Sequence, residues 1–230
     1  MFTKLLLSLL CISSLYAEDN ITILHAHSVD ISYTAPDGKL KKVTVARDTD
    51  LRCREIPLDP KEYWEGSYAN KDVADFCKKT FITTSGDIAP MKIHDDIETY
   101  GELEVLGFLE DMQEDRQMLL IDSRKASWYE SVSIPGAINI PFIHFTTYAK
   151  FEKEKQEALK FFAVKGKKDA YDFSQAKTIL LFCNGAWCKQ SSEMIEALLA
   201  LGYPAKKIKW YRGGMQSWLS LGMTSTRTKP

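Results

Sequence analysis

The residues best equipped for chemistry lie together in Cys183-Asn184-Gly185-Ala186-Trp187-Cys188-Lys189. The apolar run from Thr178 to Phe182 reads as a buried strand that delivers Cys183 at its end. A helical pattern of Met194, Leu198, Leu199 and Leu201 begins near Gln190 and stops at Gly202. A strand, a cysteine, a tight loop and a helix together favour a thiolate. Loop amides and the positive end of the helix dipole all direct partial positive charge at the sulfur. A free thiol titrates near about 8.5 and is mostly protonated at neutral pH, so a nucleophile needs this help. Gly185 is expected to supply unusual backbone dihedrals, and Lys189 a charge at the far end of the loop. Cys183 is the candidate nucleophile; the bland alternative is an inert buried thiol at a strand end. Cys188 can resolve an adduct on Cys183, shield it from over-oxidation, or merely pack at the helix start. Trp187 is expected to anchor the loop.

Stepping along the chain gives the elements that must position this loop. The 230 residues are 45% hydrophobic and 27% charged, which suits one or two small globular domains. With 30 basic and 31 acidic residues and no basic block, the charge pattern excludes an electrostatic nucleic-acid binder. Residues 1–17 read as a cleaved secretory signal peptide. Lys4 provides the positive start, Leu5 to Ile12 the apolar core, and Ser14 and Ala17 the small residues before the cut. That run is short for a bilayer span, so no membrane span is expected after cleavage, and the mature chain is expected in the periplasm or secreted. Loss of Cys11 leaves Cys53, Cys77, Cys183 and Cys188 in an oxidising compartment, where a Cys53–Cys77 bridge is plausible.

Residues 18–95 read as a β-rich N-terminal region of unknown function. A hairpin is expected around Pro36-Asp37-Gly38, and a short helix over Asp72 to Lys79. His25 and His27 would share one strand face. The chain has too few further histidines to suggest a metal site, and no metal or cofactor is expected. Tyr63, Trp64 and Tyr68 suit a small core or a surface for an exported protein partner. From about residue 96 to 225, strands at 117–121, 178–182 and 208–211 alternate with helical patterns, which indicates a parallel α/β sheet. The polar tail from Thr224, with 226–230 beyond the domain, is expected to fray.

Four pieces of this second region resemble the rhodanese-like (thiosulfate sulfurtransferase) domain. They are Leu119-Leu-Ile-Asp122-Ser-Arg124, Ile134-Pro-Gly-Ala137, Ile179-Leu-Leu-Phe-Cys183, and Trp210-Tyr-Arg-Gly-Gly-Met-Gln-Ser-Trp218. The resemblance implies a three-layer α/β/α fold around a central parallel sheet. It also implies transfer of sulfane sulfur from a small donor to a thiophilic acceptor through a persulfide on Cys183. The substrate loop would be Asn184 to Lys189, with Asp122, Arg124 and Arg212 in support. Two departures stand out. Many members have a cysteine, four residues and an arginine. Here five residues separate Cys183 from Lys189, as in relatives that act on phosphate or arsenate, but a lysine cannot grip an oxyanion bidentately. Cys188 is the second departure. It keeps open a thiol–disulfide redox protein, and fold alone keeps open a non-catalytic binding module.

Overall fold

The computed structural model describes residues 28–46, 87–147, 150–167 and 170–226. In chain order its elements are β1 (Val29–Thr34), β2 (Leu40–Val45), β3 (Glu98–Tyr100), α1 (Glu102–Glu114), β4 (Met118–Asp122), α2 (Ala126–Ser131), β5 (Ile138–Asn139), α3 (Ile143–Thr146), α4 (Glu152–Phe161), β6 (Thr178–Phe182), α5 (Gln190–Ala200), β7 (Ile208–Tyr211) and α6 (Gly214–Ser220), with a 3-10 turn at Ala205–Lys207 before β7.

The apolar runs form one sheet in the order β3-β7-β6-β4-β5, with every pairing parallel. Continuous apolar runs such as Leu119-Leu120-Ile121 and Ile179-Leu180-Leu181-Phe182 are what a parallel sheet covered on both faces requires. Alternation then sorts each strand between two cores. Leu119, Ile121, Ile179, Leu181 and Trp210 belong to a core with Phe145, Leu159, Met194 and Leu198 from α3, α4 and α5. Leu120, Leu180, Phe182 and Tyr211 belong to a second core with Leu106 and Leu109 of α1 and Met215 and Trp218 of α6. The result is the three-layer α/β/α rhodanese-like arrangement that the sequence leads one to expect.

β6 is the middle strand. Phe182 pairs with Asp122 on one side and Tyr211 on the other, and Tyr211 pairs with Tyr100. The carboxyl ends of β3, β7, β6 and β4 therefore lie at one edge. This brings Cys183, Ser123-Arg124 and Arg212 to the place where open α/β sheets bind ligands. α1 is started cleanly there: Glu104 accepts a hydrogen bond from the Gly101 amide at 2.9 Å, and Glu102 and Glu104 complement the helix dipole.

The N-terminal hairpin forms as expected around Pro36-Asp37-Gly38, with Val29 opposite Val45 and Thr34 opposite Leu40. Val29, Ile31 and Val45 are buried and belong to the α1 and α6 core, while Asp30 and Ser32 face outward. The hairpin thus helps to cover one face of the sheet.

The tail departs from expectation. Thr224 is buried, and its amide donates to Ala46 O at 2.9 Å. The Thr226 amide donates to Ser133 O and Thr226 Oγ1 accepts from the Ser133 amide. Threonine hydroxyls and free backbone groups found partners on β2 and on the loop after α2, so the segment is held through Thr226. The leader at 1–17, His25 and His27, the Cys53–Cys77 pairing, Tyr63, Trp64, Tyr68 and the helix at 72–79 fall outside the described residues.

Ile31 tests whether the hairpin is part of this core. Ile31→Ala is expected to lower the denaturation free energy by about 2 kcal/mol or more, as for a buried methyl-rich side chain. A denaturant midpoint equal to that of the parent protein would refute the shared core.

Candidate active site

The 183–189 loop is held by its carbonyls. Cys183 O accepts from the Met215 amide at 3.0 Å, and Asn184 O from the Gln216 amide at 2.8 Å. Both donors lie at the start of α6, where amides have no partner within the helix. Gly185 O accepts from the Cys188 amide at 2.9 Å, and Ala186 O from the Ala89 amide at 2.7 Å. Trp187 Nε1 donates to Gln216 Oε1 at 2.7 Å, the anchoring role expected of it.

Two glycines make this approach possible. Gly214 has φ +55°, and a Cβ there would lie 2.4 Å from Cys183 O and 2.8 Å from Gly185 N. Gly185 does not adopt a positive φ, contrary to the dihedral argument made for it. What it supplies is room: a Cβ would meet Gln216 Oε1 at 2.9 Å and Trp187 Nε1 at 3.1 Å.

Cys183 and Cys188 are both buried free thiols. Cys183 Sγ donates to Cys188 O at 3.2 Å and lies 3.9 Å from Gly185 O. Ser191 Oγ donates to Cys183 Sγ at 3.2 Å and itself accepts from Trp210 Nε1 at 3.0 Å. Burial, then the hydrogen bond and charge of Cys188, push the Cys183 thiol well up, and the hydroxyl and amide of Ser191 only partly oppose this. Cys188 is pulled down to about 6. The largest cause is the neighbouring Cys183 thiol, followed by the amides of Asn184 and Gln190 and the charge of Arg124, against desolvation. Gln190 is the first residue of α5, so the helix dipole acts in the same sense.

Asp122 and Arg124 brace the loop from below. The side chains are 0% and 1% exposed and pair at 2.7 Å. Arg124 Nε also donates to Asp122, Nη2 donates to Val132 O, and Nη1 donates to Asn184 Oδ1 at 3.2 Å. Ser133 Oγ donates to Asp122 Oδ2 at 2.7 Å. A buried pair this well satisfied is costly to break from one side, about 3–5 kcal/mol.

Lys189 and Arg212 are engaged elsewhere. Lys189 Nζ pairs with Asp87 at 2.5 Å, and Arg212 Nε and Nη2 donate to Ala89 O at 3.0 and 2.8 Å. Residues 87–90 thus lie against the loop, bound to it by Lys189 and the Ala89 amide, and to the turn after β7 by Arg212. A cavity of about 210 Å³ adjoins this segment, lined by Met91, Tyr100, Glu102, Tyr211, Arg212 and Ser217. A larger one, about 590 Å³, lies beside α4, and neither cavity is lined by a residue of the 183–189 loop. Among the described residues no group of three or more His, Cys, Asp or Glu side chains is placed to hold a metal, and no helix is long and apolar enough to cross a membrane.

The structure therefore assembles Cys183, Asn184, Gly185, Ala186, Trp187, Cys188, Asp122 and Arg124 into one site, with Lys189 and Arg212 at its rim. Sequence reasoning missed Ser191, Gln216 and Ser133. Ser191 was legible only as a hydroxyl in the first turn of a helix, and neither Gln216 nor Ser133 carries a spacing signal.

A family model described as "Rhodanese-like domain" matches residues 106–221. Comparison with curated proteins gives no match. Solved structures that resemble the chain include a Bacillus halodurans protein at 19% identity, covering 57% of this chain and 78% of that one, with a TM-score of 0.39. The rhodanese-like domain of an Anabaena protein is 18% identical over 57% of this chain and 81% of its own, with a TM-score of 0.38. A human single-domain sulfurtransferase is 21% identical over 53% and 94%, with a TM-score of 0.36.

Gly214→Ala is expected to force the loop carbonyl of Cys183 away and to cost about 2 kcal/mol or more, from left-handed backbone strain plus the clash. Gly107→Ala is the control. It lies inside α1 with nothing within 4 Å of an added Cβ and should be neutral or stabilising by up to about 1 kcal/mol. Denaturant unfolding of both variants checks the contrast.

Proposed function

The chain belongs to the rhodanese-like domain family, and on that footing we propose that it is an exported sulfurtransferase carrying sulfane sulfur as a cysteine persulfide in the 183–189 loop. One observation carries this reading: two buried free thiols, Cys183 and Cys188, meet in one loop between β6 and α5, with Ser191 Oγ donating to Cys183 Sγ at 3.2 Å. The resemblance assigns the persulfide to Cys183.

The chemistry is a pair of displacements. A loop thiolate attacks the outer sulfur of a thiosulfate-class donor. A cysteine–sulfur bond forms, the sulfur–sulfonate bond breaks, and sulfite leaves with the electron pair. A thiophilic acceptor then attacks the terminal persulfide sulfur, and the cysteine thiolate leaves, ready for another cycle. No external oxidant or reductant is consumed. The negative persulfide needs hydrogen-bond donors fixed in advance, which is what amides whose carbonyls are tied elsewhere supply. The leader at 1–17 would put this reaction in the periplasm or outside the cell, and residues 18–95 would be the part available to an exported protein partner.

A second reading, a dithiol that cycles with a disulfide, is favoured by two buried free thiols in one short loop. Mass spectrometry after thiosulfate treatment separates the two. Sulfur transfer adds the mass of one sulfur atom, whereas the redox cycle leaves only a Cys183–Cys188 disulfide. The parent protein is expected to form thiocyanate from thiosulfate and cyanide, and Cys183→Ala/Cys188→Ala to fall to the uncatalysed background. Thiocyanate formation by the double variant at the parental rate would defeat the proposal.

A further inference from the structure

We propose that Ser191 is a catalytic residue of the loop: its hydroxyl, aimed by the Trp210 indole, meets the negative charge that returns to Cys183 Sγ when the sulfur is handed on. The proposal rests on the sulfur-transfer reading for the identity of the reaction and for Cys183 as the carrier.

The aim of the hydroxyl is set by what surrounds it. Ser191 is the second residue of α5 and is 0% exposed. Its neighbour Ser192 does what serines in helices commonly do, and donates back to the Lys189 carbonyl at 3.0 Å. Ser191 instead donates across to Cys183 Sγ at 3.2 Å. Trp210 fixes that choice. An indole N–H can only donate, and at 1% exposure it needs an acceptor within the protein. The Ser191 oxygen is that acceptor, at 3.0 Å. With the indole proton on its oxygen, the hydroxyl turns its own hydrogen away from Trp210 and toward the sulfur. Sheet register brings the three groups together. Trp210 pairs with Leu181 of β6, both belong to the core that α5 covers, and Cys183 lies two residues beyond Leu181, on the same face.

This hydrogen bond does not compete with the one the thiol makes for itself. The Cys183 S–H has its acceptor in Cys188 O at 3.2 Å. Once that proton is gone, a carbonyl has nothing to donate to the sulfur, whereas the Ser191 hydroxyl still does. Burial and Cys188 hold the Cys183 thiol well up, and the hydroxyl and amide of Ser191 act against them.

During the cycle the negative charge leaves Sγ and comes back. The Cys183 thiolate attacks the outer sulfur of the donor, the Sγ–sulfur bond forms, and sulfite departs with the electron pair of the broken bond. The acceptor then attacks that outer sulfur, the Sγ–sulfur bond breaks, and its electron pair goes to Sγ. Ser191 keeps its proton throughout. A donor fixed on Sγ raises the ionised fraction before the first displacement and steadies the leaving group of the second, where charge develops.

Alkylation with iodoacetamide as a function of pH reads the first effect on the full chain with no sulfur donor present, and fragment-ion mapping assigns the label to Cys183. In Ser191→Ala the Cys183 midpoint is expected to rise by about one pH unit, about tenfold in the ionisation constant, as for loss of one hydrogen bond to the charged form. Trp210→Phe, which leaves the hydroxyl free to turn, should move the midpoint the same way by less. Discharge of the thiosulfate-loaded protein by cyanide, followed in a single turnover, should slow about 10-fold in Ser191→Ala. A serine that serves only to satisfy the Trp210 indole lowers the denaturant midpoint and moves neither reading. An unmoved alkylation midpoint, or discharge at the parental rate, in folded Ser191→Ala overturns the proposal. Should that variant fail to fold, an unmoved Cys183 midpoint in Trp210→Phe overturns it instead. A parent protein that takes no sulfur from thiosulfate sinks the sulfur-transfer reading, while the alkylation midpoints still decide whether Ser191 stabilises the Cys183 anion.

Discussion

The site depends on the two hydrogen bonds by which the first amides of α6 take the carbonyls of Cys183 and Asn184. A short loop after a strand has carbonyls and amides competing for every nearby partner. Because its carbonyls are bound from outside, amides on the inner side are free to face a sulfur. That arrangement needs α6 to approach within touching distance of the loop backbone, and only a residue without a side chain fits at 214. The Trp187–Gln216 hydrogen bond adds an attachment through the side chain of the same Gln216. The sheet order makes this possible: β7 lies directly beside β6, so the turn that follows β7 emerges next to the loop that follows β6.

The buried Asp122–Arg124 pair plays a related part from the other side, through β4. Ion pairs this deep give little net stability against an apolar replacement. What the pair supplies is position: a guanidinium held by Asp122 and Val132 O has one remaining arm, and that arm binds the Asn184 side chain. Loop geometry is thereby tied to both neighbours of β6. The charge of Arg124 still reaches Cys188, because burial leaves it little screened.

Much of this was legible in the sequence. β6 and β7 fall on the residues their apolar runs indicate, and α5 begins at Gln190, because strand runs flanked by turn residues are strong local signals. The loop itself was visible as a cysteine between such a strand and such a helix. What the sequence could not carry was the direction of each polar group. Nothing in the order Cys-Asn-Gly-Ala-Trp-Cys tells that the Cys183 sulfur faces the carbonyl of Cys188 and the hydroxyl of Ser191, since that follows from how the loop closes. The ordered Thr224–Thr226 segment was hidden for the same reason: its partners, Ala46 and Ser133, are distant in sequence. Composition identified it as polar, and polar segments fray only when no backbone partner is within reach.

The disposition of the cations bears on what the loop can hold. A tetrahedral oxyanion is best gripped by a planar, bidentate donor that neutralises charge on several oxygens at once. Here the closing residue of the loop is Lys189, and it is turned to Asp87, while Arg212 is turned to the carbonyls of Ala89 and Pro90. Arg124 is committed to Asp122 and Asn184. The remaining donors near the thiols are the Ser191 hydroxyl, which donates to Cys183 Sγ at 3.2 Å, and backbone amides. These suit a compact, singly charged, polarisable centre such as a thiolate or persulfide better than a doubly charged phosphate. The segment 87–90 thus occupies both Lys189 and Arg212. Which donors remain near the thiols therefore follows from which carbonyls and carboxylates each cation satisfies.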